Sequence, residues 1–380
     1  MQFAFTNEQQ LLRESAAAFV RDNSSLKRIR ALRDSKDADG FSRDLWTQMA
    51  ELGWLGIVFP EAYGGLGLGY KELALVLEEF GKGLMPEPWM STVLLGGGAV
   101  WRGGSEAQRE QILPRVIAGE LLLALAYQET HSRYDLSHVT TRAERAGDGW
   151  RLSGEKHMVL DGHVADRLVV SARSAGAERD RDGVTLFLLD AHAPGLTVTR
   201  QWTVDSRNAA IVRLAAVPAA PADVLGAVGG GTALLADVVD RATAGLCAEM
   251  LGSMEAVFSM TLDYLKTRQQ FGVPIGSFQA LKHRAAVMFT ELELARSAAL
   301  AAAMAIDEAN PRAAEFISVA KARCSDTLLL IANEGVQMHG GIGMTDEHDI
   351  GFFLKRARAA ELTFGDAPFH RDRFATLQGF

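Results

Sequence analysis

LLLALAYQETHSRYD, residues 121–135, is where the periodicity of the chain changes. Before it, apolar residues recur at spacings of three and four. From Leu121 onward they come in short runs broken by Gly, Asp and Ser. The runs LLLALAY (121–127), WRLSG (150–154), KHMVL (156–160), DRLVVSAR (166–173), VTLFLLD (184–190) and LTVTRQW (196–202) have the length and apolar content of strands. GDG at 147–149, RDG at 181–183 and HAPG at 192–195 supply turns between them, so mostly antiparallel pairing is expected. A β domain over 121–228 follows.

Working outward, the segment upstream is helical. It opens with a Thr6-x-x-Gln9 capping box and continues through Leu11, Leu12, Ala16, Phe19 and Val20 on one face. A further helix around Asp44 to Gly53 runs into GWLGIVFPEAYGGLGLGY (53–70), where Pro60 and the glycines stop the pattern until Lys71–Phe80 resumes it. That loop is either a ligand-touching surface or a plain connector. Downstream, Gly229, Gly230 and Gly231 mark a boundary before long Ala-, Leu- and Met-rich helices at 232–268, 279–308, 312–338 and 346–377. The expected fold is α+β: an N-terminal helical domain (1–120), a middle antiparallel β domain (121–228) and a C-terminal four-helix bundle (229–380).

The chain has 380 residues, 48% hydrophobic and 23% charged, which suits a folded protein of several domains and excludes wholesale disorder. With 39 Lys+Arg against 47 Asp+Glu, the net charge of −8 provides no attraction to nucleic acid or anionic membrane, and a small-molecule partner is the better expectation. Cys247 and Cys324 stand far apart with no CxxC pattern, which points to a reducing compartment and a cytoplasmic location. MQFAFTNEQQLLRES lacks the basic and apolar regions of a signal peptide, and no run of apolar residues is long enough to span a bilayer.

The common catalytic signatures are missing. There is no GxGxxG after a strand, no GxxxxGK[ST], no GxSxG and no HExxH. His339 and His348 have no third ligand at recognisable spacing, so no metal site is expected. Two local patterns remain. YLKTRQQFGVPIGSFQALKHR (264–284) puts Arg268 and Phe271 at the end of one helix, then a Gly/Pro turn, then Gln279 at the start of the next. A guanidinium beside an aromatic ring suits a pyrophosphate and a stacked base, although a simple helix end followed by a turn reads the same way. NEGVQMHGGIGM (333–344) exposes backbone N–H groups after a helix, either for an anion or as an ordinary glycine terminator.

FTNEQQLLRES, VFPEAYGGLGL, WRLSGEKHMVLDGHVADRLVVSAR, RQQFGVPIGSFQ and VQMHGGIGMTDE occur in this order along nearly the whole chain, which thereby resembles the acyl-CoA dehydrogenases. The resemblance implies FAD bound between subunits and oxidation of an acyl-CoA thioester to its trans-2-enoyl-CoA. A carboxylate would take the α-proton, the β-hydride would pass to flavin N5, and an electron-transferring flavoprotein would accept the electrons. It implies that Arg268 contacts the FAD pyrophosphate, Phe271 packs by the adenine side and Gln279 lies nearby. Gln337, Gly340 and Gly341 would approach the adenosine of a cofactor held mainly by a neighbouring subunit. Tyr127, Gln128, Met158 and Leu160 would lie on the flavin side. A homodimer, a homotetramer or a heterotetramer with a homologous chain is implied.

The match fails in specific places. Where the family shows Thr-Glu-Pro-x-x-Gly-Ser-Asp, this chain reads Gln128-Glu129-Thr130-His131-Ser132-Arg133-Tyr134-Asp135, and where it shows Trp-Ile-Thr, Met158-Val159-Leu160 stand. The usual catalytic Glu position is Phe364, and the alternative position used by some relatives is close to Ala242. Neither side chain can accept a proton. Asp366, Asp240 and Glu249 are the acidic candidates left for the base. Alternatively, Asp240 pairs at a helix surface, Glu249 meets a subunit contact and Asp366 caps a helix. The loss of the Glu with the phosphate positions kept resembles the small subunits of heteromeric acyl-CoA dehydrogenases, among them the group named for pimeloyl-CoA. A non-catalytic partner that completes the FAD site of a homologous chain is therefore an alternative, and a flavin oxidase or monooxygenase on the same fold is a third.

Overall fold

The computed structural model describes residues 5–380; Met1–Ala4, at the start of the stretch read for targeting, lie outside the described residues. The chain forms two compact units. One comprises the described residues up to Ser35 together with 69–85 and 243–380, and the other residues 36–68 and 86–242. Helices within the first 120 residues are thus divided between the units.

The first unit is helical. It contains α1 (Asn7–Asn23) and α2 (Leu26–Ser35), and the second unit contributes α3 (Arg43–Glu51) before the chain returns with α4 (Tyr70–Lys82). The expected capping box is present: Thr6 accepts from Gln9 N at 3.2 Å, and Gln9 Oε1 accepts from Thr6 N at 2.9 Å. In the second unit, a π-helical stretch at Met90–Gly97 leads into α5 (Gly98–Gly103) and α6 (Glu106–Ile117). Thr92 Oγ1 donates to Leu123 O at 3.1 Å, which ties this stretch to the first strand.

The strands are β1 (Leu123–Ala126), β2 (Arg142–Ala146), β3 (Gly149–Leu160), β4 (Arg167–Arg173), β5 (Val184–Asp190), β6 (Leu196–Trp202), β7 (Asn208–Ala219) and β8 (Val224–Leu225). They form one sheet in the order β6-β7-β3-β2-β4-β5-β8, with β1 joined to β4. Pairing is antiparallel as expected, except that β4 pairs in parallel with β1 and, through one residue pair, with β2. Trp150, Leu152, Leu168, Val170, Phe187 and Val212 fill the core against the sheet, and the rings of Trp150 and Phe187 meet edge to face at 5.8 Å.

α7 (Gly231–Thr267) crosses from the second unit into the first, where a small hairpin, β9 (Gln269–Gln270) and β10 (Val273–Pro274), separates it from α8 (Gln279–Asp307) and α9 (Ala313–His339). Arg268 and Phe271 are therefore not a helix end followed by a plain turn, because Phe271-Gly272 forms the tip of this hairpin with φ of 55° and 79°. The last expected helix is two, α10 (Ile350–Leu362) and α11 (Ala367–Leu377). Positive φ at Phe364 and Gly365 breaks the helix, and Asp366 restarts it by accepting from Phe369 N at 2.9 Å. At the crossing of α4 and α7 two glycines are obligatory, since a Cβ on Gly81 would lie 1.9 Å from Glu249 O and one on Gly252 1.7 Å from Glu78 O. The two backbones touch directly there.

Candidate functional site

In the sheet unit, β1 runs out into Tyr127 and Gln128, and the end of β3 lies beside it: His157 N donates to Gln128 O at 2.9 Å. The ladder between β3 and β7 slips between Lys156 and Val159. This bulge places Met158 at φ 49° with its side chain 45% exposed, while Val159 turns into the core. Met158 N donates to Gln201 Oε1 at 3.3 Å, and Leu160 is half-buried at the strand end. Tyr127 is buried, which pushes its phenol pKa up. The bulge thus gathers Gln128, Met158 and Leu160 at one end of two strands.

Glu129 and Lys156 anchor that end from beneath. Lys156 is fully buried and donates to Glu129 Oε1 at 2.7 Å, to Ser171 Oγ at 3.0 Å and to Tyr127 O at 3.4 Å. Glu129 also accepts from Thr140 N at 2.7 Å, Thr141 N at 3.0 Å and Thr141 Oγ1 at 2.7 Å. Burial pushes the Glu129 carboxyl up, but the Lys156 charge and the threonine donors outweigh it and hold it at about 2. Burial brings Lys156 down to about 8, so both remain ionised at neutral pH. Reading the sequence alone missed this anchor. Lys156 shares its strand with Arg151, Ser153, Glu155 and His157, so nothing local marked it as buried.

In the helical unit, Arg268 is exposed next to the hairpin, and its carbonyl accepts from Ile275 N at 2.8 Å. Phe271 is 90% exposed at the tip, with its ring edge to face against Phe278 at 6.0 Å, and Gln279 begins α8 in an exposed position. At the end of α9, Gln337, Gly340 and Gly341 are exposed, and Gly340 adopts φ 65°, ψ −140°, a conformation open only to glycine. Nothing lies within 4 Å of where a Cβ would stand on Gly340 or Gly341, so this backbone is accessible. Behind it His339 is sandwiched, its ring 4.5 Å from both Tyr264 and His348, with Nδ1 2.6 Å from Gly335 O. Arg33 reaches the same loop through bonds to Asp346 at 2.7 and 2.8 Å. Among the described residues no three or more His, Cys, Asp or Glu converge as a metal ion would require.

The acidic candidates are dispersed and occupied. Glu249 is buried in an ion pair with Arg356, at 3.0 and 3.2 Å. Asp366 is the N-cap of α11. Asp240 is half-buried on α7; its neighbour Arg241 pairs with Asp237 at 3.0 Å. Phe364 and Ala242 are both buried and apolar.

The profile of the acyl-CoA dehydrogenase N-terminal domain matches residues 6–120, that of the middle domain residues 124–215 and that of the C-terminal domain residues 229–376. The chain is 32% identical over 377 residues to the mitochondrial isovaleryl-CoA dehydrogenase of Pongo abelii, covering 96% of this chain and 87% of that protein. A solved variant of the Tcur3481-Tcur3483 steroid ACAD is 32% identical with a TM-score of 0.87, covering 98% of each chain. The ChsE4-ChsE5 complex from Mycobacterium tuberculosis contains a chain 27% identical with a TM-score of 0.90, covering 100% of this chain and 99% of that one.

Proposed function

This chain belongs to the acyl-CoA dehydrogenase family, and on that premise we propose that it serves as one subunit of a heteromeric, FAD-dependent acyl-CoA dehydrogenase. A homologous chain would supply the α-proton base. The observation that carries this reading is the pair of buried apolar residues, Phe364 and Ala242, at the two positions where the resemblance puts that base. Glu249 and Asp366 are engaged in an ion pair and a helix cap, which leaves neither carboxylate idle. The similar Tcur3481-Tcur3483 steroid ACAD and ChsE4-ChsE5 complex, each named as a pair of proteins, support a paired assembly.

The residues present fit FAD. The exposed Arg268 guanidinium would bond the pyrophosphate, the exposed Phe271 ring would cover the adenine side, and Gln279 would stand beside them. Gln337 and the open backbone at Gly340 and Gly341 would meet the adenosine of a cofactor held mainly by a neighbouring chain. In the sheet unit, Tyr127, Gln128, Met158 and Leu160 would face the flavin ring, with backbone N–H groups in place of the family's Trp and Thr side chains. Bound FAD supplies a two-electron acceptor for the β-hydride. Electrons would then leave to an electron-transferring flavoprotein. The chain's own task is to hold the cofactor and the thioester in register and to keep water out.

The chain purified alone and co-expressed with a Glu-bearing homologue tests this. Weak flavin colour alone, and both colour and acyl-CoA-dependent bleaching together, are expected. A solitary chain that bleaches fully under anaerobic acyl-CoA, and stops doing so on replacement of Asp240, Glu249 or Asp366, would overturn the reading.

A further inference from the structure

The turn between α10 and α11 places two successive residues in left-handed backbone, Phe364 at φ 62° and Gly365 at φ 117°. An aromatic residue disfavours that conformation and keeps it only where the surroundings dictate it. Those surroundings are identifiable. A Cβ on Gly365 would lie 2.4 Å from the Phe369 ring and 2.7 Å from His370 Nε2, so the turn is packed hard against α11. Lys321, wholly buried on α9, donates to Gly365 O at 2.7 Å, Glu361 O at 2.9 Å and Ser325 Oγ at 3.0 Å, which uses all three ammonium protons. His370 Nε2 lies 3.1 Å from Phe364 O, and Asp366 caps the next helix. None of these bonds uses the side chain at 364. The turn's shape is set by its neighbours and not by its occupant.

We propose that Lys321 is a positioning residue that, with His370, fixes the Thr363–Asp366 turn as a mount for side chain 364, and that the mount persists here although it carries phenylalanine. The inference deepens the proposed function and rests on it for the meaning of position 364. Burial brings the Lys321 ammonium down to about 8 against the opposing pull of Cys247, Cys324, Glu361 and Asp366, so it holds its three bonds at neutral pH. Burial and the Lys321 charge keep His370 neutral, which leaves one ring N–H to donate to Phe364 O. Phe364→Glu then places a carboxylate on a finished mount. That carboxylate would take the α-proton as the β-hydride passes to oxidised flavin, leaving a carbon–carbon double bond and two-electron-reduced flavin.

The test uses the FAD-loaded assembly, with the base of the homologous chain replaced by Gln so that the unaltered chain gives no bleaching, and two readouts. Amide hydrogen exchange over residues 359–371 should be unchanged in Phe364→Glu and about tenfold or more faster in Lys321→Met, with α8 unaffected. Phe364→Glu should also gain acyl-CoA-dependent flavin bleaching. In that background Lys321→Met should lower kcat about tenfold or more while KM stays within about twofold. Unchanged exchange in Lys321→Met, or a turn loosened by Phe364→Glu, overturns the proposal. If Lys321→Met does not fold, the Phe364→Glu exchange decides alone. Turn protection kept without bleaching upholds the mount and instead sinks the acyl-CoA reading.

Discussion

Lys156 Nζ lies 2.7 Å from Glu129 Oε1 across 27 residues of sequence, and the same ammonium reaches the carbonyl of Tyr127. A charge pair beneath a strand end holds that end in place. Removing one member leaves the other buried and uncompensated.

Lys156→Met is therefore expected to destabilise the protein by about 3–5 kcal/mol at neutral pH, read from urea unfolding. The acid side shifts as well. Glu129's folded pKa is depressed to about 2, so its contribution is full above the ordinary Glu value of about 4.5 and is lost as pH falls through about 2. Without Lys156 the folded pKa rises and the contribution disappears at higher pH. Equal acid profiles for the two proteins would contradict this account.

Arg296 reaches Glu78 and Glu255 in the helical unit, where Arg13 also lies 3.6 Å from Glu78. Burial pushes Glu78 up despite these partners. Arg296→Met should cost roughly 3 kcal/mol or more because the nearly buried Glu78 loses its closest cation. Adding Glu78→Gln should return a sizeable part of that loss. A strictly additive double variant in thermal unfolding would show that the pair is not coupled.

Asp307 at the end of α8 accepts from Tyr70 N at 2.6 Å and Lys71 N at 3.1 Å, capping α4 from a distant part of the chain. Asp307→Ala should cost about 1 kcal/mol. Gly69→Ala should cost about 1–3 kcal/mol, since the new methyl would sit 2.7 Å from the Asp307 carboxylate. Both are checked by denaturant midpoints, and a neutral Gly69→Ala would mean that the carboxylate moves aside freely.

The acidic candidates separate by what their loss does. Asp366→Ala should cost about 1 kcal/mol as a lost cap. Glu249→Ala should cost about 2–4 kcal/mol because the largely covered Arg356 loses its carboxylate. Neither should change flavin bleaching by the co-expressed assembly beyond its loss of folded protein. A drop in bleaching at unchanged melting temperature would return that residue to the list of bases.

Much of the fold was legible because its signals are local. The change of texture at Leu121, the turn glycines and the Thr6–Gln9 box act over a few residues, and the structure has them where they were read. β7 was not legible: NAAIVRLAAVPA is rich in alanine, and it becomes a strand because it lies between β3 and β6 in the sheet. The break at Phe364 was half legible: the cap at Asp366 could be read locally, but only surroundings from α9 and α11 force an aromatic residue to positive φ. At the candidate site, the motif residues at 268–279 and 337–341 stand out in the sequence; the hairpin pairs near neighbours, Val273 with Gln270 and Pro274 with Gln269, in strands too short to show a pattern, whereas the Lys156 anchor depends on Glu129 in a distant segment.

Phe271 stands almost wholly in water on a hairpin tip, its ring edge to face with Phe278. Leaving a phenyl ring uncovered forgoes about 2 kcal/mol relative to burial, in every copy that lacks a cover. Any group that covers the ring recovers that energy without the chain having to rearrange.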